Sequence, residues 1–164
     1  MKKICIALAL CVLLAGCAPA SKQYNATYLN LFDTVTTVIG HSESEQQFRR
    51  DAQAVYEQLY RYHQLFDIYN DYEGIHNLKT VNDQAGISPV EVDTAIIALL
   101  KDCRTYYDLT DGKVNVAMGS VLRLWHEARS DSIRDPLNAW LPDTVQLQAA
   151  AEHCDFESIV IDEE

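Results

Sequence analysis

From Tyr28 to Ile39 the chain reads "YLNLFDTVTTVI", with aromatic and β-branched residues in rough alternation. That pattern predicts a strand over 28–39, ended by Gly40. The period then changes. In "HSESEQQFRRDAQAVYEQLYRYHQLFDIY" the apolar positions Phe48, Ala52, Val55, Leu59, Tyr62 and Phe66 advance by steps of four and three. This is the signature of a long amphipathic helix, and Ser42 and Glu45 stand at capping-box spacing before it. Residues 70–85 are polar and rich in turn formers, with room for one helical turn around Asn77 to Thr80. A short extended piece, "ISPVEV", leads to Asp93, a good N-cap for a helix in which Ile96, Leu100, Cys103 and Tyr107 share a face. That helix ends at Thr110-Asp111-Gly112, where glycine suits a left-handed cap. "KVNVAM" then reads as a short strand, "SVLRLWHEAR" as a helix, and "SDSIRDPLNAWLP" as irregular. Asp143 caps a helix through "TVQLQAAAEHC", and "FESIVIDEE" reads as a final strand.

These elements predict an α+β fold, a mixed sheet flanked by helices, in one domain over residues 28–164. A last strand with no partner after it, following three long helices, predicts a sheet incomplete at its C-terminal side.

The stretch "MKKICIALALCVLLAGC" changes the reading of the N-terminus. Two lysines precede an apolar run too short to span a bilayer, as in a secretory signal. Leu14-Ala15-Gly16-Cys17 resembles the bacterial lipoprotein signal, which is cleaved before a cysteine that carries lipid. Residues 1–16 are then signal, Cys17 the lipidated N-terminus and residues 17–27 a tether. The protein is expected on the extracytoplasmic face of the bacterial cell membrane, since several acyl chains anchor firmly. Cys5 and Cys11 leave with the signal, so Cys103 and Cys154 remain, as two buried thiols or as a disulfide. The formal net charge is −11, and losing residues 1–16 removes Lys2 and Lys3 but no acid. An acidic chain of this kind argues against nucleic acid as a partner.

No phosphate loop, dinucleotide glycine fingerprint, paired-histidine zinc motif or nucleophile elbow is present. The five histidines, at 41, 63, 76, 126 and 153, read as surface or packing residues. Composition alone identifies no general base. Asp111 stands beside a loop of small and polar residues, though an aspartate before glycine is commonly a turn former. The loop itself, between two apolar segments, is a place where a ligand could approach the backbone.

Three stretches taken together, "LFDTVTTV", "LFDIYNDYEGIHNLKTVN" and "TDGKVNVAMGSVLRLW", resemble the N-terminal half of the ApbE family, the FAD:protein FMN transferases. Phe32-Asp33-Thr34 stands where the family has Met-Gly-Thr. Tyr69 and Asn82 fall at the places of the family's aromatic residue and asparagine, with extra residues between them and without the usual serine. Thr110, Gly112, Lys113-Val114-Asn115, Gly119 and Leu124-Trp125 follow the third pattern, in which the chain's own letters run "VLRLW".

The resemblance implies FAD as substrate, with Tyr69 stacking on the flavin nucleotide, Asn82 among the binding residues, and Phe32 and the backbone of Lys113, Val114 and Asn115 walling the site. Residue chemistry agrees: an aromatic face stacks a ring at small entropic cost, and small residues let amides approach a ligand. Without the resemblance, Tyr69 reads as a helix-end aromatic on the core. The implied reaction is magnesium-dependent transfer of FMN to a threonine of a partner protein. The implied partners are flavin-carrying subunits of NADH:quinone oxidoreductase or Rnf-type membrane complexes. The family's magnesium ligands would lie beyond residue 164, so no metal ligand is assigned in this chain and its activity alone is doubtful. The alternative reading is a short, non-catalytic lipoprotein that binds flavin or a partner.

Overall fold

The computed structural model describes residues 21–162. The expected signal peptide and the lipidation site at Cys17 lie outside the described residues. The described residues divide into two compact units, one ending at Val90 and the other beginning at Glu91. The class is α+β. Among the described residues the sheet is one antiparallel pair, accompanied by five α-helices.

In the first unit, β1 (Lys22–Leu31) and β2 (Thr34–Ser42) form a hairpin. The single strand expected over 28–39 is thus two strands, and pairing begins at Lys22, inside the stretch expected as tether. The reversal falls at Phe32 and Asp33, with φ of 53° and 52°. A two-residue hairpin loop needs left-handed residues so that its twist matches the strands, and sequences usually supply Asn-Gly there. Phe-Asp conceals the turn.

Alternation puts Tyr24, Ala26 and Tyr28 inward. The register runs Tyr28↔Thr36 and then Leu31↔Thr34, so Leu29 and Asn30 together oppose Val35. This bulge reverses the parity of the strand and turns Leu31 inward, to 0% exposure.

Helix α1 (Glu45–Leu65) packs against the hairpin. Its N-cap is Ser44, whose Oγ accepts from the Gln47 amide at 3.2 Å. Ser42, the expected cap, is still paired with Lys22 in the ribbon. Aromatic contacts follow the two periods along the interface: Tyr24 meets Phe48 at 5.6 Å, Tyr28 meets Tyr56 at 4.6 Å, and Phe32 meets His63 at 5.7 Å. From Tyr24 to Tyr28 the strand advances about 13 Å, against about 12 Å for the eight helical residues from Phe48 to Tyr56, so the two rows stay in step there. Tyr28 Oη also donates to the Ala52 carbonyl at 3.0 Å. A Cβ at Gly40 would lie 3.3 Å from the Phe48 ring, so the close approach of β2 to α1 depends on that glycine. Helix α2 (Leu78–Asp83) completes this unit.

The second unit contains α3 (Thr94–Leu109), α4 (Gly119–Arg134) and α5 (Thr144–Ala151). Asp93 and Asp143 cap α3 and α5 as their spacing predicts. Ile96, Leu100, Cys103 and Tyr107 all turn inward on α3. Phe156 is the largest buried side chain of this unit. Tyr107 packs on its ring at 5.0 Å, and the Arg104 guanidinium lies over it at 4.3 Å. The strand expected over 156–164 is, among its described residues, a 3-10 turn over Phe156–Ser158 followed by irregular chain. Asp155 explains the turn: its carboxylate accepts from the Glu157 amide at 3.0 Å. The short strand expected in "KVNVAM" is a loop and a 3-10 turn, Val116–Met118, capped by Asn115. Cys103 and Cys154 are free thiols, and Cys154 lies just past α5.

Candidate functional site

The loop after α1 is organised by Asp67. Its Oδ1 accepts from the amides of Tyr69, at 2.7 Å, and Asn70, at 3.1 Å. Its Oδ2 accepts from the Asn70 side chain at 2.8 Å and from the Tyr72 hydroxyl at 2.7 Å. Desolvation works against the carboxylate, but the donors outweigh it and hold its pKa down at about 2. For Tyr72, desolvation and the hydrogen bond to Asp67 act in the same direction and raise the phenol to about 12. Tyr72 therefore stays protonated and donates.

Tyr72 Oη is also 3.3 Å from His63 Nε2, and His63 Nδ1 accepts from the Phe32 amide at 3.1 Å. Because Nδ1 accepts, the hydrogen-bond pattern assigns the proton of neutral His63 to Nε2, facing Tyr72. A continuous chain thus runs from the Phe32 amide through His63, Tyr72 and Asp67 to the Tyr69 amide. The Phe32 ring, 42% exposed, stands edge-on to His63. Tyr69 is 56% exposed on the loop.

Asn77 fixes the far end of this loop from full burial. Its Nδ2 donates to the carbonyls of Gln64, at 3.2 Å, and Asn70, at 2.9 Å. Its Oδ1 accepts from the Thr80 amide at 3.1 Å, and Thr80 Oγ1 accepts from the Asn77 amide, closing a capping box for α2. Lys79 reaches Asp71 at 3.2 Å and Asp83 at 2.6 Å, tying the loop to the helix again. Asn82 is exposed on α2, where its carbonyl belongs to the terminal turn.

In the second unit, Thr110 Oγ1 donates to the Tyr106 carbonyl at 2.7 Å and accepts from the Val114 amide at 2.9 Å. Asp111 and Gly112 both have positive φ, 53° and 76°, and the Gly112 amide returns to the Tyr107 carbonyl at 2.8 Å. Asp111 is accordingly a turn residue. Lys113 and Val114 are exposed, while Asn115 is half-buried. The Asn115 side chain donates to the Cys154 carbonyl at 2.8 Å and accepts from the Ala117 amide at 2.8 Å. The loop is held by the Thr110 and Asn115 side chains, with Asp111, Lys113 and Val114 exposed between them.

Phe32, Tyr69 and Asn82 thus belong to the first unit and Lys113, Val114 and Asn115 to the second. The structure links Phe32 with Tyr69 and leaves Asn82 on the outer turn of α2. His63, Asp67 and Tyr72 are organising residues that the sequence does not single out, whereas Asn77 caps the helical turn expected from Asn77 to Thr80. Asn77 had a legible signal, an Asn with a Thr three positions later before an apolar residue; the others are joined only by folding. Among the described residues, no group of three or more His, Cys, Asp or Glu side chains is arranged to hold a metal ion.

The chain is 32% identical over 82 residues to an FAD:protein FMN transferase of Treponema pallidum (strain Nichols), a stretch that is 50% of this chain and 21% of that protein. The crystal structure of an ApbE protein from Thermotoga maritima MSB8 has the same fold over 87% of this chain, with a TM-score of 0.67 and 21% identity. The chain spans 42% of that structure. Residues 31–164 match the ApbE family, and the chain belongs to it.

Proposed function

We propose that this chain supplies part of the FAD site of an FAD:protein FMN transferase. The observation that carries the reading is the 82-residue likeness to the Treponema pallidum FAD:protein FMN transferase. In this reading Phe32 and Tyr69 offer aromatic surface to the flavin nucleotide, with Asn82 as a polar contact. The backbone of Lys113, Val114 and Asn115 is the second unit's part of the proposal, with the Lys113 and Val114 amides already held by Thr110.

The reaction is phosphoryl transfer. A threonine Oγ on the acceptor protein forms a bond to the FMN-side phosphorus of FAD, the bond to the bridging pyrophosphate oxygen breaks, and AMP leaves. The threonine proton passes to a base that we do not assign to a described residue. Magnesium dependence is part of the proposal, because the pyrophosphate accumulates charge; no step is routed through a metal site in this chain. The proposed acceptors are flavin-carrying subunits of NADH:quinone oxidoreductase or Rnf-type complexes. Export and lipid anchoring through Cys17 are also proposed, supported by the signal-like N-terminus; loss of lipid labelling in Cys17→Ala would bear this out.

The test of the function is titration of FAD into the protein, followed by incubation with an acceptor subunit, FAD and magnesium. Saturable binding and an FMN-sized mass gain on an acceptor threonine are expected. Saturable binding with no transfer would favour a flavin-binding role without chemistry, and no binding would remove the reading.

A further inference from the structure

Phe32 and Tyr69 stand on different elements, a hairpin turn and a loop after α1. Each is held through its backbone amide by a side chain of the same hydrogen-bonded chain. We propose that His63 and Tyr72 are positioning residues that couple the Phe32 turn to the Tyr69 loop, so that the two aromatic residues are set for the flavin nucleotide as one unit. This rests on the flavin reading above.

The turn needs such support. Phe32 and Asp33 occupy the left-handed region, which a side chain with a Cβ adopts at a cost, and no glycine relieves it. The Phe32 amide donates to His63 Nδ1 at 3.1 Å, and the Phe32 ring stands on the same imidazole. His63 therefore holds both the backbone and the side chain. Its orientation is set in turn from the other nitrogen, where Tyr72 receives the Nε2 proton and passes the direction of donation on to Asp67. Asp67 accepts at one oxygen from Tyr72 and at the other from the Tyr69 amide. Every donor from His63 onward points toward this carboxylate, which closes the chain from both sides. His63 is also flanked by the Tyr60 ring at 5.9 Å on its own helix. A displacement of Tyr72 would loosen the amide of Phe32 and that of Tyr69 together.

Two readouts separate this coupling from the flavin reading. The first needs no ligand: backbone amide exchange in the protein and in Tyr72→Phe, which keeps the ring and removes the hydroxyl. Exchange at both Phe32 and Tyr69 is expected to accelerate about tenfold or more, while the β1–β2 amides keep wild-type rates. Acceleration at one amide alone, or at neither, overturns the coupling whatever happens with FAD.

The second readout is FAD titration by flavin fluorescence. His63→Leu is expected to weaken binding about tenfold, as for one lost orienting hydrogen bond. His63→Asn can place its side-chain oxygen near the position of Nδ1, and is expected to restore most of that loss. Equal binding by His63→Asn and His63→Leu overturns the positioning role. If His63→Leu does not fold, Tyr72→Phe carries the same test, with an expected loss of about tenfold and wild-type affinity as the overturning result. If the wild-type protein binds no FAD while the two amides still respond together, the flavin reading fails and the coupling stands.

Discussion

The side-chain amide of Asn77 donates to the carbonyl of Asn70 at 2.9 Å from a position with no solvent exposure. The same side chain also serves Gln64 and Thr80. It therefore joins the end of α1, the Tyr69 loop and the start of α2. Replacing it by leucine keeps approximate volume but leaves buried carbonyls and a helix amide without their partner. Each such group costs about 1–3 kcal/mol, so with three of them Asn77→Leu is expected to lose roughly 3 kcal/mol of stability or more. The exposed Asn82 gives the comparison: Asn82→Leu is expected to stay within about 0.5 kcal/mol. Urea unfolding of the two variants decides this, and similar midpoints would show that Asn77 is not the anchor.

Asp33 has φ of 52° in the hairpin loop, where glycine carries no Cβ penalty. Asp33→Gly is expected to stabilise the protein by about 0.5–1 kcal/mol, the relief exceeding the greater chain entropy of glycine. Phe32→Gly relieves similar strain but removes the ring from His63, and so gains less. Denaturant midpoints at unchanged m-value would show the order; destabilisation by Asp33→Gly would mean that the aspartate holds the turn in some other way.

That turn also shows where sequence reading stops. The helices α1, α3 and α5 were legible because apolar periodicity and caps are local, and α3 presents inward the four residues its spacing predicts. The hairpin was hidden because Phe-Asp lacks the usual turn signal and the alternation runs on past it. The terminal segment alternates like a strand, yet its Asp155 cap and the burial of Phe156 against Tyr107 and Arg104 make a 3-10 turn more favourable. Phe32 and Tyr69 were singled out as candidates by family resemblance alone, whereas His63, 31 residues from Phe32 in sequence, could be connected to it only in three dimensions.

Asp67 and Tyr72 give the site two opposite pH dependences. Asp67 falls from 3.8 to about 2, desolvation being outweighed by its hydrogen bonds. A depressed carboxylate stabilises the fold above its unfolded pKa and loses that contribution as pH falls from 3.8 through 2. After allowance for solvent screening this is about 1 kcal/mol. The stability advantage of wild type over Asp67→Asn should shrink across that window.

Tyr72 is raised from 10.0 to about 12, by desolvation first and Asp67 next. A raised phenol stabilises the fold below its unfolded pKa, and the contribution is lost as pH rises from 10.0 through 12. Ultraviolet titration should show a late phenolate that is absent in Tyr72→Phe and moves down in Asp67→Asn. An unmoved transition in Asp67→Asn would mean that Asp67 does not govern Tyr72.

Asn115 links the exposed loop of the second unit to the carbonyl of Cys154, whose thiol lies 3.4 Å from Ser120 Oγ. The asparagine also caps the following 3-10 turn through the Ala117 amide. Asn115→Ala removes both bonds and frees the segment after α5, so its first consequence should be access to the Cys154 sulfur. In a Cys103→Ser background, where Cys154 is the thiol of the described residues, labelling by a maleimide is expected to accelerate about fivefold or more through local opening. Asn115→Asp separates the two bonds, since it keeps an oxygen for Ala117 but offers the Cys154 carbonyl no amide donor. Its labelling rate should approach that of Asn115→Ala if the Cys154 contact closes the segment, and should remain near wild type if the turn cap is sufficient.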